Sequence, residues 1–196
     1  MEFAGSRNRV MIDTVWLKAG ADREAVLILG GSLLIALSAQ IRIVLPFSPV
    51  PITGQTFAVL LLGALYGSWR GSATVATYLV LGAAGLPVFA GGASGLSRLI
   101  GPTGGYLVGF IVSAFVVGLL SERGWDRQLW TTAASMVIGN LIIYAAGIPW
   151  LSKFVGWQAV LQTGLFPFLV GDGLKIALAM ILLPTSWKFI GRSDRQ

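Results

Sequence analysis

The chain has 196 residues, 55% of them hydrophobic and 11% charged, with a mean hydropathy of +0.79, a balance that excludes an ordinary soluble domain and indicates an integral membrane protein. It has no cysteine and no histidine, which removes disulfides, Cys/His metal sites and histidine-based acid–base chemistry, so no enzyme is expected. The net charge of +6 does not indicate nucleic acid, because the basic residues stand singly between apolar runs and act as topology signals.

Residues 1–24 mix Arg7, Arg9, Lys18 and Arg23 with Glu2, Asp13, Asp22 and Glu24, and no continuous apolar core precedes Ala25. They do not read as a cleavable signal peptide; residues 10–17 form either a short interfacial helix or a tail. The chain divides into an N-terminal segment 1–24, a membrane domain 25–190 and a tail 191–196. Six apolar segments can be counted, about 25–45, 55–66, 71–84, 104–120, 130–149 and 166–183. The expected fold is all-α, with six transmembrane helices. The second and third segments fall short of the roughly 20 residues a straight span needs, so the alternative to two short helices is one re-entrant hairpin broken at 67–71.

In the first segment Ser32, Ala36 and Ala39 form a small-residue stripe at helical spacing beside Gly30 and Gly31. Close packing is implied, against either another helix of this chain or a separate membrane subunit. Arg7, Arg9, Lys18, Arg23, Arg70, Arg123, Arg127, Lys188, Arg192 and Arg195 fall on one side of the six spans, and Arg42, Arg98 and Lys153 on the other. By the positive-inside rule both termini are cytoplasmic, and 45–54, 85–103 and 148–165 face outward. These outer connections are long and rich in Gly and Pro, and the glycines of 85–105 permit close backbone approach to a ligand.

Candidate site residues follow in order. Gln55 comes after the proline-rich stretch 46–51 and offers an amide donor and acceptor at the outer start of the second helix, while Thr53 suits a helix cap. Tyr78 is the most polar large side chain of the third segment. Arg98, the only charge in the glycine-rich loop, is placed as an anion's counter-ion or a lid latch. Asn140 and Tyr144 lie four apart on one face, as interhelical glue or ligand contacts. Phe89, Trp150 and Trp157 are candidates for apolar walls. Asp172 and Lys175, three apart inside an apolar run, cost about 2.5–3.5 kcal/mol each at membrane depth. Such a pair is either a mutual ion pair or is kept for a polar ligand. Lys175 is expected about one turn into its helix, with Asp172 nearer the start and favoured by the helix dipole. With no nucleotide-binding loop in the sequence, energy for any transport is expected from a partner; the alternative is an autonomous carrier that uses an ion gradient by itself.

The motifs Gln40-Ile-Arg-Ile43, Pro51-Ile-Thr-Gly-Gln-Thr-Phe-Ala58, Gly82-Ala-Ala-Gly-Leu-Pro-Val-Phe-Ala-Gly-Gly92, Gly101-Pro-Thr-Gly-Gly-Tyr106 and Pro167-Phe-Leu-Val-Gly-Asp-Gly-Leu-Lys175 together resemble the BioY family. These are biotin-specific substrate-binding S components of energy-coupling factor transporters. The resemblance implies a six-helix S-component fold in a prokaryotic cell membrane, with biotin captured at the outer side beneath the loops. It implies no cofactor in this chain, a transmembrane coupling subunit and two ATPase subunits that alone use ATP, and docking through the stripe of Ser32, Ala36 and Ala39. It places Asp172 and Gln55 on the ureido group, Lys175 or Arg98 on the carboxylate, and Tyr78, Asn140, Tyr144 and the Gly91 and Gly92 backbone as lining.

Overall fold

The computed structural model describes residues 10–15 and 20–193; Arg7, Arg9, Lys18 and Arg195 lie outside the described residues, as do Trp16 and Leu17. The chain is mostly helical. The helices in order are α1 (Met11–Val15), α2 (Ala21–Gln40), α3 (Gln55–Tyr66), α4 (Ser68–Ala83), α5 (Leu96–Ile100), α6 (Gly104–Glu122), α7 (Leu129–Val155), α8 (Val160–Gly164) and α9 (Phe166–Ser193). A short 3-10 turn, Trp125–Arg127, joins α6 to α7. The departures from an all-α chain among the described residues are a two-residue ribbon, β1 (Arg42–Ile43) antiparallel to β2 (Ile52–Thr53), with Arg42 opposite Thr53, and an isolated antiparallel bridge between Phe89 and Ala93.

Three stretches are long and apolar enough to cross a bilayer, Gly104–Glu122, Leu129–Val155 and Val160–Ile190, and Gln55–Tyr66 is a shorter apolar helix. The helix α2 carries Asp22, Arg23 and Glu24 in its first turn, and α4 has 16 residues with Arg70 among them. The second and third apolar segments are separate helices. Between them Gly67 takes φ +86°, a value at which a Cβ is strained, and the Glu122 carboxylate accepts from both the Ser68 N–H and its hydroxyl at 2.7 Å. A negative group at that N-terminus satisfies donors the helix leaves open.

Contact among α3, α4 and α6 is set by glycine. A Cβ on Gly63 would lie 2.7 Å from the Ala114 carbonyl oxygen, one on Gly71 would lie 2.8 Å from the Gly63 Cα, and one on Gly118 would lie 2.4 Å from backbone atoms of Gly67 and Ser68. The helices approach backbone to backbone, gaining dispersion contact that a side chain would prevent.

The stripe on α2 is closed within the chain. Ser32, Ala36 and Ala39 are buried, and the Ser32 hydroxyl reaches the Ile28 carbonyl at 2.7 Å and the Thr74 carbonyl of α4 at 2.8 Å. The spacing reports close packing, and in this structure the three residues face the chain's own interior, with Ser32 against α4, rather than an outer surface. The face α2 exposes is formed by larger residues, Leu29, Leu33 and Leu37.

At the end of the bundle that gathers α1, the start of α2 and the α3–α4 junction, Arg70 is the hub. Its Nη1 lies 2.6 Å from Asp13 and its Nε 2.8 Å from Glu24, tying α1 and α2 to α4. Val10 and Met11 are buried, so α1 is seated on the protein. Replacing Arg70 with alanine is expected to speed amide exchange across Met11–Val15 while lowering global stability by no more than about 1 kcal/mol, because the ion pairs are partly exposed. Hydrogen exchange with mass spectrometry checks this. At the same end Trp187 donates its indole N–H to Asp126 at 2.6 Å, and the Arg127 guanidinium lies 4.4 Å from the Trp187 ring centre. Burial raises the Asp126 carboxyl above its usual range, against the opposing effect of the indole bond.

At the opposite end the connections carry more helix than expected. The helix α7 continues through Pro149 to Val155, and α5 and α8 lie within stretches expected to be loops; at the α1 end, α9 likewise passes through Pro184 to Ser193. Proline removes one backbone bond but does not end a helix whose remaining bonds are shielded from water.

Candidate functional site

A cavity of about 200 Å³ lies between α3, α6, α7 and α9, beneath the ribbon and the two loops that follow α2 and α4. One wall is polar. Asp172 and Lys175, on successive turns of α9, make an ion pair of 3.3 Å. The Tyr144 hydroxyl donates to the other Asp172 oxygen, and the Lys175 ammonium donates to the Thr56 hydroxyl at 2.7 Å. The Asp172 side chain is 8% exposed and that of Lys175 21%, so both charges are largely out of water and each neutralises the other. They are the seventh and tenth residues of α9, deeper than the first turn expected from sequence, so the helix dipole, which fades beyond that turn, does not account for the Asp172 charge.

Gln55 completes this wall from the first turn of α3. Its Nε2 donates to the Tyr78 hydroxyl at 2.5 Å, its Oε1 accepts from the Thr53 hydroxyl at 3.2 Å, and its own N–H bonds the Thr53 oxygen at 3.3 Å. The N-cap position of α3 is Gly54 and not Thr53, whose hydroxyl instead bonds Gln55, and together these bonds fix which way the amide points. Asn140 lines the cavity with its Nδ2 bonded to the Met136 carbonyl at 3.1 Å, and its Oδ1 makes no hydrogen bond among the described residues.

The opposite pole is cationic. Arg98 on α5 and Arg42 on β1 line the exposed rim, and neither guanidinium makes an ion pair among the described residues. Between the poles the surface is apolar and aromatic, from Tyr106, Leu107 and Phe110 of α6, Ile143 of α7 and Phe168 of α9. Tyr106 is fixed by its hydroxyl bond to the Gly164 carbonyl at 2.8 Å and stands edge-on to Tyr144, with ring centres 6.5 Å apart. Proline-rich chain from Ser48 to Pro51 closes one side, anchored by the Ser48 hydroxyl on the Thr163 carbonyl at 2.6 Å.

Six of the expected residues therefore meet in one cavity: Gln55, Arg98, Asn140, Tyr144, Asp172 and Lys175. Three do not reach its surface. Tyr78 is fully buried behind Gln55, and Gly91 and Gly92 sit outside the lining, where the Gly92 N–H is taken by the Gln40 side chain and Gly91 lies against the Arg42 guanidinium. Phe89 lines the cavity, whereas Trp150 is turned to bond the Gly101 carbonyl at 2.8 Å and Trp157 is 70% exposed. Arg42, Thr56 and Tyr106 are lining residues not anticipated as such. From sequence Arg42 counts only as a topology charge, and the signal that could have found it is its place inside the motif Gln40-Ile-Arg-Ile43.

Comparison with known proteins adds a lineage to this geometry. The family model described as "BioY family" matches residues 12–192. A probable biotin transporter BioY of Pyrococcus horikoshii is 40% identical over 76% of this chain and 86% of its own length, and a biotin transporter BioY of Thermotoga maritima is 43% identical over the same shares. The crystal structure of the S-component for biotin from an ECF-type ABC transporter superposes with a TM-score of 0.75 at 25% identity, covering 87% of this chain and 95% of that one.

Proposed function

The chain belongs to the BioY family, and from that footing we propose that it is the membrane-embedded subunit that captures biotin for uptake. The observation that carries the reading is the cavity's polarity: a buried carboxylate–ammonium–amide wall at one pole, two exposed guanidinium groups at the other, and an apolar aromatic stretch between. Biotin has the same order, a ureido ring that donates and accepts, an apolar thiophane ring and a valerate carboxylate. In this reading the Asp172 carboxylate accepts a ureido N–H, the Lys175 ammonium and the Gln55 and Asn140 amides serve the rest of the ring, and Arg98 with Arg42 holds the carboxylate. Lys175 is the weaker carboxylate partner, because Asp172 already neutralises it.

The proposal extends to six spans with both termini cytoplasmic, in the plasma membrane of a prokaryote, and to energising by a transmembrane coupling subunit and two ATPases. The chain itself would need no cofactor. Support for the sidedness comes from the bundle: the arginine-rich connections gather at the end of α1, away from the cavity.

Equilibrium binding of labelled biotin to the detergent-purified chain tests the function, and saturable binding at micromolar concentration or below is expected. Arg98→Ala is expected to weaken biotin but to leave the uncharged biotin amide unaffected. No saturable binding would remove the function; equal losses for acid and amide would remove the Arg98 role. Biotin uptake into liposomes by the chain alone would replace the energised reading with an autonomous carrier.

A further inference from the structure

Gln40, the last residue of α2, lies off the cavity surface, yet its side chain holds a loop that forms part of that surface. Its Nε2 donates to the Phe89 carbonyl at 3.2 Å and to the Ala36 carbonyl of its own helix at 3.0 Å. Its Oε1 accepts from the Gly92 N–H at 3.0 Å. One amide thus brackets a tight turn from both sides, and the same turn is closed internally by the Phe89 N–H on the Ala93 carbonyl at 3.0 Å. Gly91 and Gly92 hold φ of +74° and +70° there, a conformation that other residues rarely adopt.

What the turn presents is Phe89. The residue is 3% exposed, and its ring stands edge-on to Tyr78 at 5.5 Å and fills the space at Gly82, where a Cβ would lie 2.2 Å from it. Phe89 and Ala90 both line the cavity. The turn therefore carries a section of cavity wall on a segment without regular secondary structure of its own; the Tyr78 hydroxyl on the Val88 carbonyl at 3.4 Å and the Gly95 N–H on the Gly82 carbonyl at 2.8 Å tie its two flanks to α4, and the Gln40 amide ties its tip to α2.

We propose that Gln40 is a positioning residue for ligand retention: its amide pins the turn at 88–93 so that Phe89 and Ala90 stay closed against the bound ligand, and thereby sets the rate of release. This rests on the biotin reading for the identity of the ligand, not for the latch. A side chain that only finished α2 would need the bond to Ala36 alone. The two bonds to the turn, one donated and one accepted, require an amide; a carboxylate keeps the acceptor and loses the donor.

The test is the dissociation rate of labelled biotin chased with unlabelled ligand. Gln40→Ala is expected to release biotin roughly tenfold faster, the scale of two neutral hydrogen bonds, and Gln40→Glu to fall between it and the parent. Phe89→Ala is expected to be fast as well, and adding Gln40→Ala to it should bring no further acceleration, because both act through one wall. A second arm needs no ligand. The chain has no cysteine, so Ala90→Cys supplies a single thiol, and maleimide labelling of it should be severalfold faster when Gln40→Ala or Gln40→Glu is also present. If the parent binds no biotin, the function fails while the labelling arm still decides the latch. Unchanged dissociation, multiplying effects in the double variant, or unchanged labelling overturns the proposal.

Discussion

Asp172→Ala is expected to weaken biotin binding by about 2–5 kcal/mol, a loss of roughly thirtyfold or more in Kd, read on the fraction of protein that is folded. Three groups depend on that carboxylate: the Lys175 ammonium at 3.3 Å, the Tyr144 hydroxyl that donates to it, and in the proposed complex a ureido N–H. Removing it leaves a buried ammonium with only the Thr56 hydroxyl as partner, an uncompensated charge in a site largely closed to water. Asp172→Asn separates the contributions. It keeps an acceptor for Tyr144 but removes the charge that neutralises Lys175, so an affinity close to that of the alanine variant assigns the effect to charge. An affinity close to the parent assigns it to the hydrogen bond. Titration calorimetry with purified protein reads both, and an alanine variant that binds as the parent does would exclude Asp172 from the ligand.

The second large effect is on the fold. Gly118→Ala puts a methyl group 2.4 Å from backbone atoms of Gly67 and Ser68, and backbone at a helix start cannot swing aside as a side-chain tip can. Overpacking of this kind costs typically 1–3 kcal/mol, and here it also disturbs the Glu122 cap on α4. A clear drop in melting temperature in detergent is expected. The contrast is Gly30→Ala on α2, where nothing lies within 4 Å; the methyl group there should raise helix stability by up to about 1 kcal/mol. Equal melting of the two variants would mean that the close contact of α4 with α6 is not what holds them.

Much of the site was legible because polar residues are expensive in apolar runs and so stand out. Gln55, Asn140, Tyr144, Asp172 and Lys175 were visible on that ground alone, and helical spacing placed the last four on two faces that do meet. Spacing did not say which partner a face meets. The Ser32 stripe illustrates this: small residues announce a close contact, but the choice between α4 and another subunit is a matter of tertiary arrangement. The Gly91 and Gly92 backbone was read as ligand lining for a related reason, since nothing local reveals that Gln40, about fifty residues earlier, takes the N–H. Arg42 escaped because its place at the rim arises only when the ribbon pairs it with Thr53. Helix ends were least legible at prolines, where α7 and α9 both continue.

The twelve residues of α3 rise only about 18 Å, some 12 Å less than a hydrocarbon layer about 30 Å thick. Its neighbours α6, α7 and α9 have 19, 27 and 28 residues, so the bundle has one short stave among long ones. The ligand space is the length that α3 lacks, roofed by the ribbon and by Ser48 to Pro51. Cavity depth is therefore written in the residue count of one helix: each turn added before Gln55 would carry helix about 5 Å further into the binding volume and cover the Gln55 amide, and a three-turn extension would leave a solid bundle with nowhere for a ligand to go.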